Sequence, residues 1–352
     1  YFAYQRVKHE KPIADQVKKH KDEVAQARNY CMEKLNSIPF VYARQQARLD
    51  IHFDAFAYMV NVIDQGRAYD LGQAQNMYED MMRTEQLNYQ FQELQRKVIE
   101  EKPSYSREEI QWLLEHLGDP SPEIRDELVF TSLARGIQEE LFSLEQFQFI
   151  SEEVSSDEGL YKEIDSRGVS ALKRSFRALI YANLLSCDGT KESLYYQQLS
   201  SPIRATMLNQ GLHYLSKEKD TTGFSSQYGW VHAFAHGADL LTEVVCHPDF
   251  PKNRVHEVFD ILDQLFKRIS LRFTDDEDWR LARVIYEPIL QGKLEQEQVA
   301  SWIKAVDFPI EEREDFYKFS NFRSCLLEVY VQLDQRNSLQ DDLKEAIQSF
   351  QY

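Results

Sequence analysis

The sequence has no paired cysteines. Its four, Cys31, Cys187, Cys246 and Cys325, are scattered without a CxxC. That argues against a zinc ribbon and a disulfide framework and leaves reduced, mostly buried thiols, which suit a cytoplasmic location. Glycine and proline are scarce, at 12 and 10 of 352 residues. A many-turned β-sandwich needs more of both, whereas long helices need few. No stretch approaches the roughly 20 apolar residues of a membrane span. Also missing are GxxxxGK(S/T), GxGxxG and the GxSxG elbow, so neither nucleotide-dependent chemistry nor an elbow nucleophile is expected. No cofactor is expected beyond a divalent metal.

Positive charge is short as well: 41 Lys and Arg face 58 Asp and Glu, a net charge of −17. The deficit is uneven. Residues 1–102 carry 15 basic and 15 acidic side chains, so the whole surplus of acid lies in 103–352. Such asymmetry speaks for two units, and it argues against nucleic acid, which needs clustered cations. A protein or peptide partner, basic in character, fits better. With 43% hydrophobic and 12% aromatic residues the chain has what a buried core requires.

Helical signals dominate. Over 1–102, segments such as "IADQVKKHKDEVAQARNYCMEKL" space apolar residues at three, four and seven. A long-helix bundle or hairpin is expected there, with apolar stripes able to drive homo-oligomer formation. The opening "YFAYQRVKHEK" sets aromatics before basic residues, as at the cytoplasmic edge of a membrane tether upstream of Tyr1; a helix start that frays explains it equally well. The stretch "EKPSY" (101–105) marks the boundary. Beyond it, "SREE" (Ser106, Glu109), "SLEQ" (Ser143, Gln146) and "TDDE" (Thr274, Glu277) read as capping boxes. In "HLGDPSPEIRDELVFTSL", Ser121 is the expected cap and Pro122 lies in the first turn. Asp119, Pro122 and Arg125 there resemble the turn of a HEAT-type helical repeat. The expected fold is all-α: a HEAT-like αα-superhelix over 103–352, preceded by the long helices of 1–102.

The segments "RDELVFTSLARGI" (125–137), "RSFRALIYANLL" (174–185), "EKDTTGF" (218–224), "YGWVHAFAHGADLL" (228–241) and "DDEDWRLARVI" (275–285) occur in one order. Together they make 103–350 resemble an uncharacterised bacterial family, domain of unknown function 2785. The resemblance implies an all-helical domain and supplies no activity. One departure is visible: the family tends to carry a basic residue where this chain has Thr222, so a charged partner for Glu218 or Asp220 must come from elsewhere.

The histidine segment carries the main chemical question. Read as a helix at 100° per residue, His232, His236 (about 40°), Asp239 (−20°), Glu243 (20°) and Cys246 (−40°) share one stripe. No Lys or Arg occurs from Gly229 to Cys246, so the stripe faces something other than bulk water. It can be a polar network paired with neighbouring helices, a metal site of His232, His236 and Asp239, or a plainly solvent-exposed or partner-contacting face. The general base of an HExxH protease is absent from its place, which holds Ala233. The acids of "TDDEDW" are explained first as a helix start. Asp278 and Arg280 are left over to pair with another helix, and Arg174 is a candidate partner for an acid. Arg174, Glu218, Asp220, Trp230, Glu243, Glu277, Asp278 and Arg280 are therefore the groove candidates. The first functional reading is a non-enzymatic binding or scaffold protein presenting an acidic groove. The alternative is a metal-dependent, hydrolase-like enzyme using His232 and His236.

Overall fold

The computed structural model describes residues 91–156 and 159–350, with the isolated positions 65, 67, 74, 76 and 77. The chain divides into two units, Tyr1–Glu93 and Leu94–Tyr352. The second unit begins ahead of the boundary expected at residues 101–105. Helical residues 94–99 already belong to it: Leu94 is fully buried, and Lys97 pairs with Glu109 at 2.6 Å. The helices expected earlier, the tether and the self-association stripe lie outside the described residues.

The described chain is all-α. Two capping boxes form as their sequences require: Ser106 with Glu109 opens α1 (Arg107–Glu115), and Ser143 with Gln146 opens α3 (Leu144–Ser155). Between them runs a wide π-helix, Glu123–Phe130, which continues into α2 (Thr131–Gln138); Pro122, not Ser121, holds its N-cap position, and the Ser121 hydroxyl donates to the Glu123 carboxylate instead of capping the helix. Then follow α4 (Val169–Gly189) and α5 (Ser201–Lys217). After them come α6 (Ala233–Cys246), α7 (Val255–Arg268) and α8 (Glu277–Leu290). The C-terminal helices are α9 (Gln296–Ala305), α10 (Arg313–Gln335) and α11 (Asp341–Ser349). Among the described residues the one sheet is a two-strand ladder, β1 (Phe224–Ser225) against β2 (Gly229–Trp230).

Alternate helices form two rows. In one row α2, α4, α6, α8 and α10 pack in succession; in the other α1 packs on α3, α3 on α5 and α5 on α7. The pair α9 and α11 closes the C-terminal end. Each row buries helix faces that the other leaves open. No helix of the described residues is long and apolar enough to cross a membrane.

Helix α6 sits centrally, packed on α4, α5 and α8. Thirteen of its fourteen residues are buried, all but Glu243. It packs tightly on α5 at Gly237, where a Cβ would lie 2.6 Å from the Leu215 side chain and 2.9 Å from the Tyr214 ring. Gly237→Val is expected to lower stability by about 1–3 kcal/mol, the usual penalty for overpacking. Urea unfolding at neutral pH measures it; an unchanged midpoint would show that α5 yields freely.

Candidate functional site

The site is built where α6 begins. The helix expected from Gly229 starts only at Ala233. Gly229 has a positive φ of 68° and belongs to β2. His232 is left-handed at φ 47°, ψ 32°, and its carbonyl accepts the first helical bond from the His236 N–H at 2.8 Å. The cause is remote in sequence. Arg125, fully buried on the π-helix, donates Nη2 to the carbonyls of Tyr228 (2.7 Å) and Trp230 (3.2 Å). It also donates Nη1 to the Asp119 carbonyl at 2.9 Å and Nε to Asp126 at 2.8 Å. Gly229 lies between the two clamped carbonyls, where a Cβ would meet Pro122 at 2.9 Å. Asp119, Pro122 and Arg125 thus hold the hairpin that precedes α6.

Both histidines have assigned tautomers. His232 lies 2.9 Å from the Asp275 carbonyl through Nε2; a carbonyl only accepts, so Nε2 carries the proton. Ser175 Oγ donates its single proton to the Val231 carbonyl at 2.5 Å and so accepts from His236 Nδ1 at 2.7 Å. The lone pairs are therefore on His232 Nδ1 and His236 Nε2. Burial pulls the His236 imidazolium far below its usual range, helped by His232 and Arg280, and burial lowers His232 as well. Both rings are neutral near pH 7.

The rings continue into a ladder. Phe224 meets Trp230 edge-on at 4.9 Å, and Trp230 stacks on His232 at 4.5 Å. His232 meets His236 at 5.7 Å, His236 meets Phe176 at 5.2 Å, and Phe176 meets Phe130 at 5.8 Å. The Arg125 guanidinium lies over Phe176 at 4.9 Å. One end of this ladder is exposed and the other is in the core. Phe224 and Trp230 are 55% and 44% exposed, while His236 is 7% exposed.

One turn deeper, Asp239 is held by two guanidinium groups of α8, Arg280 at 2.5 Å and Arg283 at 2.7 Å. Burial pushes its carboxyl upward against the pull of both arginines. Arg283 also reaches Glu243 at 3.8 Å, and burial raises that carboxyl too. The thiol of Cys246 is pushed up to about 12 by burial, which leaves it unreactive. The metal set expected from the sequence, His232, His236 and Asp239, is not assembled. Both Asp239 oxygens face arginines, and among the described residues no group of three or more His, Cys, Asp or Glu is placed to hold a metal ion.

The remaining groove candidates separate. Arg174 pairs with Glu218 through two bonds, 2.9 and 3.0 Å, and both are buried. Glu218 also accepts from the Tyr214 hydroxyl and the Lys219 and Asp220 N–H groups. Asp220 accepts from the Gly168 and Thr222 N–H groups. Arg174 is thus the charged partner that Thr222 does not supply. This second cluster shares α4 with the histidine site, since Ser175 follows Arg174.

The third expected capping box is not made. Asp276, left-handed at φ 64°, precedes α8, the Thr274 hydroxyl bonds the Asp275 carboxylate, and Glu277 accepts from the Asp275 N–H. Burial raises the Glu277 carboxyl. Burial raises the Asp278 carboxyl too, against the pull of Arg272, and Asp278 accepts from the Trp279 N–H. Reading the sequence missed three contributors: Arg125 as hairpin clamp, Ser175 and Arg283. Arg283 was within reach, because it stands three residues from Arg280 on one helix face.

Packed helices with a polar seam through the middle define an all-α domain. Residues 160–331 match the model of a family described as protein of unknown function (DUF2785). No curated protein and no solved structure matches.

The depressed His236 titration makes a pH prediction. Its folded value lies below the ordinary 6.5, so the unfolded chain takes up the proton first. Stability from this group is full above pH 6.5 and is lost as pH falls below it. The raised carboxyls of Asp239, Glu243 and Glu277 act in the opposite sense, so the comparison must be with a variant. Thermal melts at pH 7.5 and 5.5 are expected to show a smaller acid loss in His236→Asn than in the parent chain. Equal losses would contradict a neutral buried ring.

Proposed function

We propose that the unit 94–352 is a non-catalytic binding module that docks a basic segment of a partner protein on the Phe224–Trp230 ledge. The observation that carries this reading is the ledge itself. Two large aromatics stand exposed, packed on each other and backed by His232. Exposed Trp anchored on a rigid base is the type of residue that dominates interface energetics. The acidic loop lies beside it: His232 bonds the Asp275 carbonyl, Asp276 is exposed, and Trp279 is 58% exposed. Aromatic faces attract Lys and Arg cations, and neighbouring carboxylates speed and orient their approach. The net charge of −17 favours the same partner.

A HEAT-like array would suit the role, since stacked helix pairs offer long binding surfaces. The hydrolase alternative lacks its third ligand, because Asp239 is engaged by Arg280 and Arg283.

Fluorescence anisotropy with a labelled Lys/Arg-rich peptide tests the proposal. Saturable binding that weakens as salt rises is expected. Trp230→Ala is expected to lower affinity about 30-fold, the scale of a hot-spot residue, with the melting temperature unchanged. Binding that ignores Trp230, or no binding at low salt, would overturn the reading.

A further inference from the structure

A recess opens between α10 and α11. Arg323, Leu326, Leu327 and Tyr330 recur at three, four and seven residues along α10, so one face of that helix carries all four. Ile347 near the end of α11 and Phe350 just beyond it complete the lining. The recess holds about 470 Å3, inside the roughly 300–1,000 Å3 of small-molecule sites. Its floor is apolar, since Leu326 and Ile347 are buried. Phe350 makes a fixed wall, stacked on Phe319 at 5.3 Å and edge-on to Phe322 at 5.1 Å. Leu327, 47% exposed, stands at the rim.

The polar groups of this recess are uncommitted. Neither the Arg323 guanidinium nor the Tyr330 hydroxyl has a hydrogen bond or ion pair among the described residues. Arginines elsewhere in the unit are held: Arg174 by Glu218, Arg204 by Asp188, Arg254 by Glu257 and Arg283 by Asp239. Among the described residues no carboxylate lines the recess. Arg323 is exposed, so a cation without a counter-charge borders an apolar surface. Tyr330 comes two turns later, about 10 Å along the helix axis.

We propose that this recess binds a small apolar monocarboxylate of the fatty-acid type. The carboxylate meets Arg323, whose planar fork matches two oxygens at once. The hydrocarbon body lies along Leu326, Leu327 and Ile347, against Phe350, and runs toward Tyr330. One guanidinium balances one negative charge, so a monoanion fits where a dianionic phosphate would keep a charge unmet. An apolar pocket with few polar groups is the usual form of a small-molecule site. This site does not depend on the Phe224–Trp230 ledge.

Calorimetric titration of the full chain with octanoate, and in parallel with octanol and acetate, tests it. Saturable binding of one octanoate per chain is expected, with octanol and acetate each weaker by about tenfold or more. Arg323→Gln is expected to lower octanoate affinity about tenfold and to leave octanol unchanged. Leu327→Asp, which sets a carboxylate at the rim, is expected to weaken octanoate by a similar factor. No saturation by roughly 10 mM octanoate, far above useful affinities, would overturn the proposal. So would octanol that binds as tightly as octanoate, which would mark apolar adsorption alone, or an Arg323→Gln chain that binds octanoate as the parent does. Should either variant melt early, the parent chain decides alone: equal affinity for octanoate and octanol, or for octanoate and acetate, refutes the site.

Discussion

The burial of α6, all but Glu243, is the constraint on which the rest depends. A helix enclosed by α4, α5 and α8 cannot leave a polar group to water, and an unpaired one would cost about 1–3 kcal/mol or more. Each polar side chain on it therefore dictates something about a neighbour. His236 requires Ser175 of α4, Asp239 requires Arg280 and Arg283 of α8, and Thr242 turns back to the Ala238 carbonyl of its own helix. Just past its end, His247 meets the buried Asp188, which Arg204 also holds. These bonds set how α4, α5 and α8 sit around the central helix. The seam is structural by necessity before it is anything else.

The same constraint explains why chemistry is concentrated at one end. Toward its C-terminus α6 is closed by a silent thiol and by the fully paired cluster of His247, Asp188 and Arg204. Toward its N-terminus the chain leaves the core through His232 and the hairpin, so the ring ladder there is the route from interior to surface. Two left-handed residues, His232 and Asp276, meet across this exit through the bond from imidazole to the Asp275 carbonyl. Non-glycine residues in that conformation store strain of the order of 1–3 kcal/mol, which the surrounding structure must impose. Here Arg125 and the acidic loop impose it.

What could be read from the sequence was local. Apolar spacing and the boxes at Ser106 and Ser143 announced helices, because each involves residues within four positions of one another. The lack of Lys and Arg from Gly229 to Cys246 announced a sheltered stripe. The start of α6 was not legible: it is decided by Arg125, about a hundred residues earlier in the chain. Nor was the failed cap at Thr274. A local pattern cannot know that Glu277 is taken by the Asp275 N–H while the Asp275 carbonyl is taken by His232. Asp239 was placed correctly on the stripe but misjudged as a ligand, since its arginines come from a helix whose register only packing settles.

The left-handed turn at His232 separates two requirements that usually coincide at one residue. Asn, Asp and Gly adopt that backbone region as readily as His, so the turn alone would accept any of them. None of the three reaches the Asp275 carbonyl with a ring nitrogen or stacks a flat face on Trp230. Position 232 therefore distinguishes, in any diverging copy of this domain, drift that keeps only the path of the chain from drift that keeps the ring ladder.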